Sequence, residues 1–181
     1  MFIEFNILYA IQSIRTDFLD NVVVFITNFI GKNAEIWLIL GIALLIFKKT
    51  RKVGLAILLS YGLTWVICQD VIKDIICRPR PCHIDETIKL IVSRPSSYSC
   101  PSPHSALAAA MAASVYFFNK KYGVVAIIVA LIIGLSRMYL FVHFPTDVLF
   151  GYLIGIIAGI IAGKAVDIIA RKVSEKTERI F

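Results

Sequence analysis

The chain has 181 residues, 59% of them apolar and 17% charged, and a mean hydropathy of +0.81. Soluble domains carry about a quarter charged residues, so this composition excludes an ordinary water-soluble domain, and the length points to one domain spanning residues 1–181. The net charge of +7 would invite nucleic acid in a soluble protein. Here the charges cluster between apolar blocks, where basic residues hold orientation in a membrane, and no nucleic-acid partner is expected.

In chain order, an amphipathic start (Phe2, Ile3, Phe5, Ile7, Leu8, Ile11) can lie at an interface or extend the first helix. It lacks a basic stretch before an apolar run and a small-residue cleavage site, so no cleavable signal is expected. The first apolar block runs from Phe18 to Ile30. The second, Ala34 to Phe47, ends at the basic cluster Lys48, Lys49, Arg51 and Lys52. The third runs from Val53 to Ile72. The stretch from Lys73 to Ser102 contains Pro79, Pro81, Pro95 and Pro101 and is no spanning helix. A fourth block starts at Pro103 and ends near Phe118, a fifth runs from Tyr122 to Leu140, and a sixth starts near Pro145 and ends in a basic tail. Each is read as a crossing, for which about 20 apolar residues suffice. The expected fold is all-α: a polytopic bundle of six transmembrane helices.

With the 48–52 cluster on the cytoplasmic side, the 119–121 turn and the C-terminal tail fall there too. Arg15 and the N-terminus are assigned to the same side. Lys32, Lys73, Arg78, Arg80, Lys89, Arg94 and Arg137 are then outside. That is more positive charge than orientation requires on an outer face, and it calls for a chemical reason.

The four cysteines are Cys68, Cys77, Cys82 and Cys100. Their spacing matches no paired metal site. An oxidising compartment would allow a disulfide between Cys100 and either Cys77 or Cys82.

Three segments fall at the outer face: KDIICRPRP from Lys73 to Pro81, PSPHS from Pro101 to Ser105, and SRMYLFVHFPTD from Ser136 to Asp147. Taken singly, a lysine near a membrane end anchors a helix, and Ser-Pro is a cap with proline in the first turn. Together they supply cations, imidazoles, a hydroxyl and a carboxylate, the groups a phosphoryl transfer needs. Lys73, Arg80 and Arg137 can neutralise phosphate oxygens, the arginines through a planar fork. Ser102 can donate to the phosphate or cap its helix, whose N-terminus faces the anion. His143 and His104 are the candidate nucleophile and acid. Asp147, four residues on, can accept the second ring N–H of His143 and fix its tautomer. Asp70 and Asp74 can brace Lys73 or Arg80. Arg78 either supports the site or faces lipid headgroups. No carboxylate cluster suits Mg²⁺, so no metal or other cofactor is expected.

These segments resemble the signatures of the type-2 phosphatidic acid phosphatase superfamily, KxxxxxxRP, PSGH and SRxxxxxHxxxD, with the first and third matched in full. The resemblance covers essentially the whole chain. It implies a six-helix membrane fold and a metal-independent lipid phosphatase. In it His143 attacks phosphorus to form a phosphohistidine, while His104 protonates the leaving oxygen and then activates water. Pro103 stands where the signature has glycine; it removes one backbone N–H from the phosphate site but suits the first turn of a helix.

The compact size and outward site resemble bacterial undecaprenyl diphosphate phosphatases, making that lipid diphosphate the first choice of substrate at the outer leaflet of the cytoplasmic membrane. Phosphatidylglycerol phosphate, phosphatidic acid and a lipid A phosphate are the alternatives. A phosphotransferase would use the same residues with an acceptor alcohol in place of water. A transporter would need ionisable residues at several depths, and here they gather at one face. Nothing in the sequence sets the oligomeric state.

Overall fold

A computed structural model describes residues 2–30 and 34–178. Among them every regular element is helical: α1 (Phe2–Ser13), α2 (Asp17–Ile30), α3 (Ile36–Ile46), α4 (Arg51–Trp65), α5 (Lys73–Ile76), α6 (Pro81–Ile84), α7 (Pro103–Phe118), α8 (Lys120–Tyr139) and α9 (Pro145–Glu178). A π-helical stretch, Val66–Ile72, joins α4 to α5 without a break. Among the described residues three helical segments are long and apolar enough to cross a membrane: Arg51–Ile84, Lys120–Tyr139 and Pro145–Lys176.

α7 is the central helix. Its sequence, PHSALAAAMAASVYFF, is apolar nearly all round and rich in alanine, the pattern of a helix buried on every side. It packs against α4, α8 and α9. The approach of α9 is set by Gly151, Gly155, Gly159 and Gly163, spaced one turn apart. A Cβ at Gly151 would lie 2.6 Å from the Ser102 carbonyl, and one at Gly155 would lie 2.8 Å from the Ala110 nitrogen. Small residues let helix backbones come together in a bilayer, where hydrophobicity no longer drives association. The result places the N-terminus of α7 against the first turn of α9.

The bundle has two distinct ends. At one, Lys52 and Arg171 both pair with Asp167, at 3.5 and 2.6 Å. At the other lie the N-terminus of α7, the C-terminus of α8 and the start of α9.

Two expectations about topology are corrected. Arg15 belongs to the second end, not with the basic cluster: Nη1 donates to the Lys89 carbonyl at 3.0 Å, and Nε and Nη2 embrace Asp20. Its charge is neutralised locally, so it carries no orientation signal. α1 lies at the same end. Leu8 is fully buried against Cys82, Phe141 and Phe144, and Tyr9 donates to Asp85 at 2.8 Å. The N-terminal helix and the C-terminal end of α9 are therefore at opposite ends of the bundle.

The first two apolar blocks also differ from expectation. α2 and α3 have 14 and 11 residues, about 21 and 16 Å at 1.5 Å per residue, against a hydrocarbon core of about 30 Å. Asp20 sits at the Tyr139 hydroxyl, Thr27 at Arg137, and Ile30 in the mid-bundle cluster with Ile133. From Trp37 in that cluster, α3 continues to Leu44, whose carbonyl accepts from Thr50 beside the start of α4. Along the bundle, α2 leads from the cavity end to the middle and α3 from the middle to the opposite end. Lys32 and Arg179, assigned to sides by charge, lie outside the described residues.

Candidate active site

A cavity of about 330 Å³ opens at the second end, lined by Thr27, Gln69, Lys73, Arg80, Arg94, Ser97, Pro103, His104, Arg137 and His143, among others. Each chemically distinctive residue arrives on a different element. Lys73 follows the π-helical stretch, which also turns Gln69 to the cavity. Arg80 precedes the short α6, and Pro103 opens α7 at its first position. Arg137 is in the last turn of α8. His143 sits in the tight connection to α9, where Phe141 takes a positive φ of 58°, a conformation that non-glycine residues seldom adopt.

Lys73, Arg80 and Arg137 are almost completely buried, at 3%, 3% and 4% exposure. Among the described residues none of the three forms an ion pair. Neutral oxygens hold them instead. Lys73 Nζ donates to Ser97 Oγ at 3.2 Å, and Arg80 donates through Nη2 to the same hydroxyl at 3.0 Å and through Nε to the Ser97 carbonyl at 2.7 Å. Arg137 donates to Thr27 Oγ1 at 2.7 Å and, through Nε and Nη2, to Ser136 Oγ. Buried charge without a counter-charge is costly. Three such cations around one cavity form a site prepared for a multiply charged anion.

Arg80 also reaches His143: Nη1 lies 3.0 Å from Nε2 and donates to the Val142 carbonyl at 2.9 Å. The guanidinium can only donate, so Nε2 presents its lone pair and the ring proton is assigned to Nδ1. Burial first, and then Arg80, push the imidazole down to about 3, so the ring is neutral at physiological pH. Asp147 Oδ2 is 3.8 Å from Nδ1, and Nδ1 has no hydrogen-bond partner. The direct bond expected from Asp147 is not made in this state. The reason is on the carboxylate: Oδ2 already accepts from Ser99 Oγ at 2.5 Å and the Phe144 N–H at 2.8 Å, while Oδ1 accepts from Arg78 Nη1 at 2.7 Å. Such bonds are often long in ligand-free sites and shorten when substrate binds.

Other expected positions divide. His104 is half-buried and lines the cavity beside Pro103. Ser102 is fully buried and does not line it. Its hydroxyl pairs with Ser105 Oγ at 2.9 Å and makes no helix cap, and its N–H donates to the Asp147 carbonyl. Close packing of α7 on α9 turns this side chain away from the cavity. Asp70 and Asp74 are exposed, and among the described residues neither forms an ion pair with Lys73 or Arg80. Arg78 faces Asp147 and Glu4, not a lipid surface.

The four cysteines are free, so the disulfide expected between Cys100 and Cys77 or Cys82 is not formed. Cys77 is exposed and donates to the Asp74 carbonyl, whereas Cys82 packs among Leu8, Phe141 and Phe144. Burial, then Asp147, push the Cys100 thiol up to about 11. The three occupy separate environments.

Sequence reasoning missed Ser97, Ser99, Thr27 and Glu4. The run of serines between Pro95 and Pro101 was the available signal for the first two. Nothing local distinguishes Thr27.

Buried cations around a neutral imidazole, at one end of an apolar helical bundle, form a site suited to an anionic ligand in a membrane protein. The model of the PAP2 superfamily matches residues 50–168, and the chain belongs to that superfamily. It is 30% identical over 138 residues to an undecaprenyl-diphosphatase of Sulfolobus acidocaldarius, a match covering 76% of this chain and 66% of that protein. Phosphatidylglycerophosphatase B of Bacillus subtilis is 32% identical over 158 residues, covering 80% and 73%. The crystal structure of a transmembrane PAP2-type phosphatidylglycerolphosphate phosphatase from Bacillus subtilis superimposes with a TM-score of 0.71 at 30% identity, covering 90% of this chain and 83% of the other. The chain thus spans about two thirds to four fifths of its relatives' lengths.

Proposed function

We propose that this chain is a single-domain membrane lipid phosphatase that forms a phosphohistidine at His143. The observation that carries the reading is the cavity where Lys73, Arg80 and Arg137 are buried without carboxylate partners next to a neutral His143. The phosphate anion would supply the missing counter-charge. As it binds, the Arg80 guanidinium moves from Nε2 to a phosphate oxygen and uncovers the lone pair. Nε2 attacks phosphorus, the bond from phosphorus to the leaving oxygen breaks, and His104 gives that oxygen a proton. Lys73, Arg80 and Arg137 hold the three equatorial oxygens, where charge accumulates. His104, now deprotonated, takes a proton from water, which attacks the phosphohistidine and releases inorganic phosphate and free His143. The cations meet the phosphate charge directly, and the mechanism needs no metal.

The relatives' names make undecaprenyl diphosphate the first choice of substrate, with phosphatidylglycerol phosphate as the alternative. The arrangement of α2 and α3 supports five crossings with α1 lying along the membrane surface. The basic clusters at the opposite end support a site on the outer face of the cytoplasmic membrane, near the headgroup layer, with the lipid tail remaining in hydrocarbon.

The test is a panel of prenyl diphosphates and glycerophospholipid phosphates offered to the purified protein in detergent with chelator present. Labelled substrate, quenched without acid, should leave label on the wild type and none on His143→Ala, whose turnover should vanish. Activity that needs added Mg²⁺, or label kept on the variant, would overturn the mechanism.

A further inference from the structure

Arg78 lies at a variable position of the first signature, and Glu4 lies on a helix outside the matched residues 50–168. Neither has a part in the chemistry above, yet the two join around Asp147. Arg78 Nη1 donates to Asp147 Oδ1 and to Thr146 Oγ1, both at 2.7 Å, and Nη2 donates to Glu4 Oε2 at 2.6 Å. The guanidinium carbon stands 4.1 Å from the centre of the buried Phe144 ring. Glu4 Oε1 accepts from the Thr146 hydroxyl. The main chain of Arg78 acts at the same place: its carbonyl accepts from the Ser99 N–H at 2.8 Å, and Ser99 Oγ is the donor on Asp147 Oδ2. One residue thus sets both carboxylate oxygens, one directly and one through Ser99.

α1 is fastened at this point by more than charge. Phe5 meets Phe144 edge-on at 5.2 Å, and Leu8 is completely enclosed. The planar fork of arginine can bond Asp147 and Glu4 at once, which a lysine ammonium cannot do with the same geometry.

We propose that Arg78, held by Glu4 of α1, is a positioning residue that sets Asp147 and through it the ring of His143, making the N-terminal helix part of the catalytic apparatus. The proposal rests on the reading of His143 as nucleophile. Displacing a reacting group by about 1 Å can cost about 100-fold in rate. The phosphate itself is held by Lys73, Arg80 and Arg137, so the loss belongs in kcat.

The experiment measures kcat, KM and thermal unfolding for wild type, Arg78→Ala, Arg78→Lys, Glu4→Ala and the Glu4→Ala/Arg78→Ala double variant. Arg78→Ala should lose about 10- to 100-fold in kcat with KM within about 3-fold of wild type. Arg78→Lys, which keeps one ion pair, should recover part of the loss. Glu4→Ala should lose several-fold alone and nothing further once Arg78 is gone, because it acts through Arg78. Equal kcat in all folded variants, with only the unfolding temperature lowered, would show a staple for α1 and overturn the proposal. So would independent, multiplying effects of Glu4→Ala and Arg78→Ala. A wild type that turns over substrate yet keeps phosphoenzyme in His143→Ala would instead break the reading of His143.

Discussion

At the scale of residues, the two histidines differ in their surroundings, and the difference supports the roles proposed for them. His143 is buried and neutral, with Nε2 at Arg80 and Asp147 behind the ring. His104 is half-buried on the cavity wall at the first turn of α7, where it can exchange protons with water. His104→Ala should therefore cost about 10²- to 10⁴-fold, the usual range for a general acid, and should cost less with monophosphate esters whose leaving groups need little protonation. Single-turnover rates across such a series check this; an equal loss for good and poor leaving groups would remove His104 from the acid role. The residues legible in advance were those whose type is unusual in an apolar chain and whose spacing follows a recognisable motif: Lys73, Arg80, His104, Arg137, His143 and Asp147. Ser97 was illegible because a serine in a polar loop is ordinary, and only the folded loop brings its hydroxyl between Lys73 and Arg80.

At the scale of elements, the site depends on how closely α9 approaches α7. The glycine stripe from Gly151 to Gly163 permits it, and the main-chain bond from Ser102 to Asp147 ties the two helix starts together. Gly155→Leu would force a side chain into the Ala106–Ala110 backbone. Overpacking of this kind typically costs about 1–3 kcal/mol, and here it also separates Pro103 and His104 from His143. Lower thermal stability in detergent and a larger fall in kcat than in stability are expected. Gly62→Ala is the matched control: no atom lies within 4 Å of its added Cβ, and alanine in a helix interior is favoured by about 0.5–1 kcal/mol. A Gly155→Leu protein as stable and active as this control would show that helix spacing is not limiting. The π-helical stretch before Lys73 was not legible, because Val-Ile-Cys-Gln-Asp-Val-Ile reads as ordinary apolar helix.

At the scale of the whole molecule, the bundle separates a basic end from a catalytic end, and the proposed orientation follows from the first. A cysteine replacing Lys89, in a protein whose exposed Cys77 is changed to serine, should react with an impermeant thiol reagent in intact cells. One replacing Asn119 should react only after the membrane is opened. α1 at the catalytic end adds that a tag on the N-terminus should be accessible from outside and one on the C-terminus should not. The reverse pattern would move the chemistry to the cytoplasm, and two termini on one side would restore an even number of crossings.

Composition and motif spacing were enough to read a helical membrane protein of the PAP2 superfamily. Apolar runs report their environment locally, and the four-residue step from His143 into the first turn of α9 is short enough to keep Asp147 near the ring. The course of the first 50 residues was decided only by tertiary structure. Arg15 reads as an orientation charge until Asp20 pairs with it and the Lys89 carbonyl accepts from it at the cavity end, and the apolar blocks before Lys48 give no sign in sequence of how they follow one another along the bundle. The same holds for Glu4 and Arg78. They are 74 positions apart in the chain, and their meeting at Asp147 depends on where Leu8 and Phe5 find a hydrophobic seat, a long-range packing outcome that no local pattern encodes.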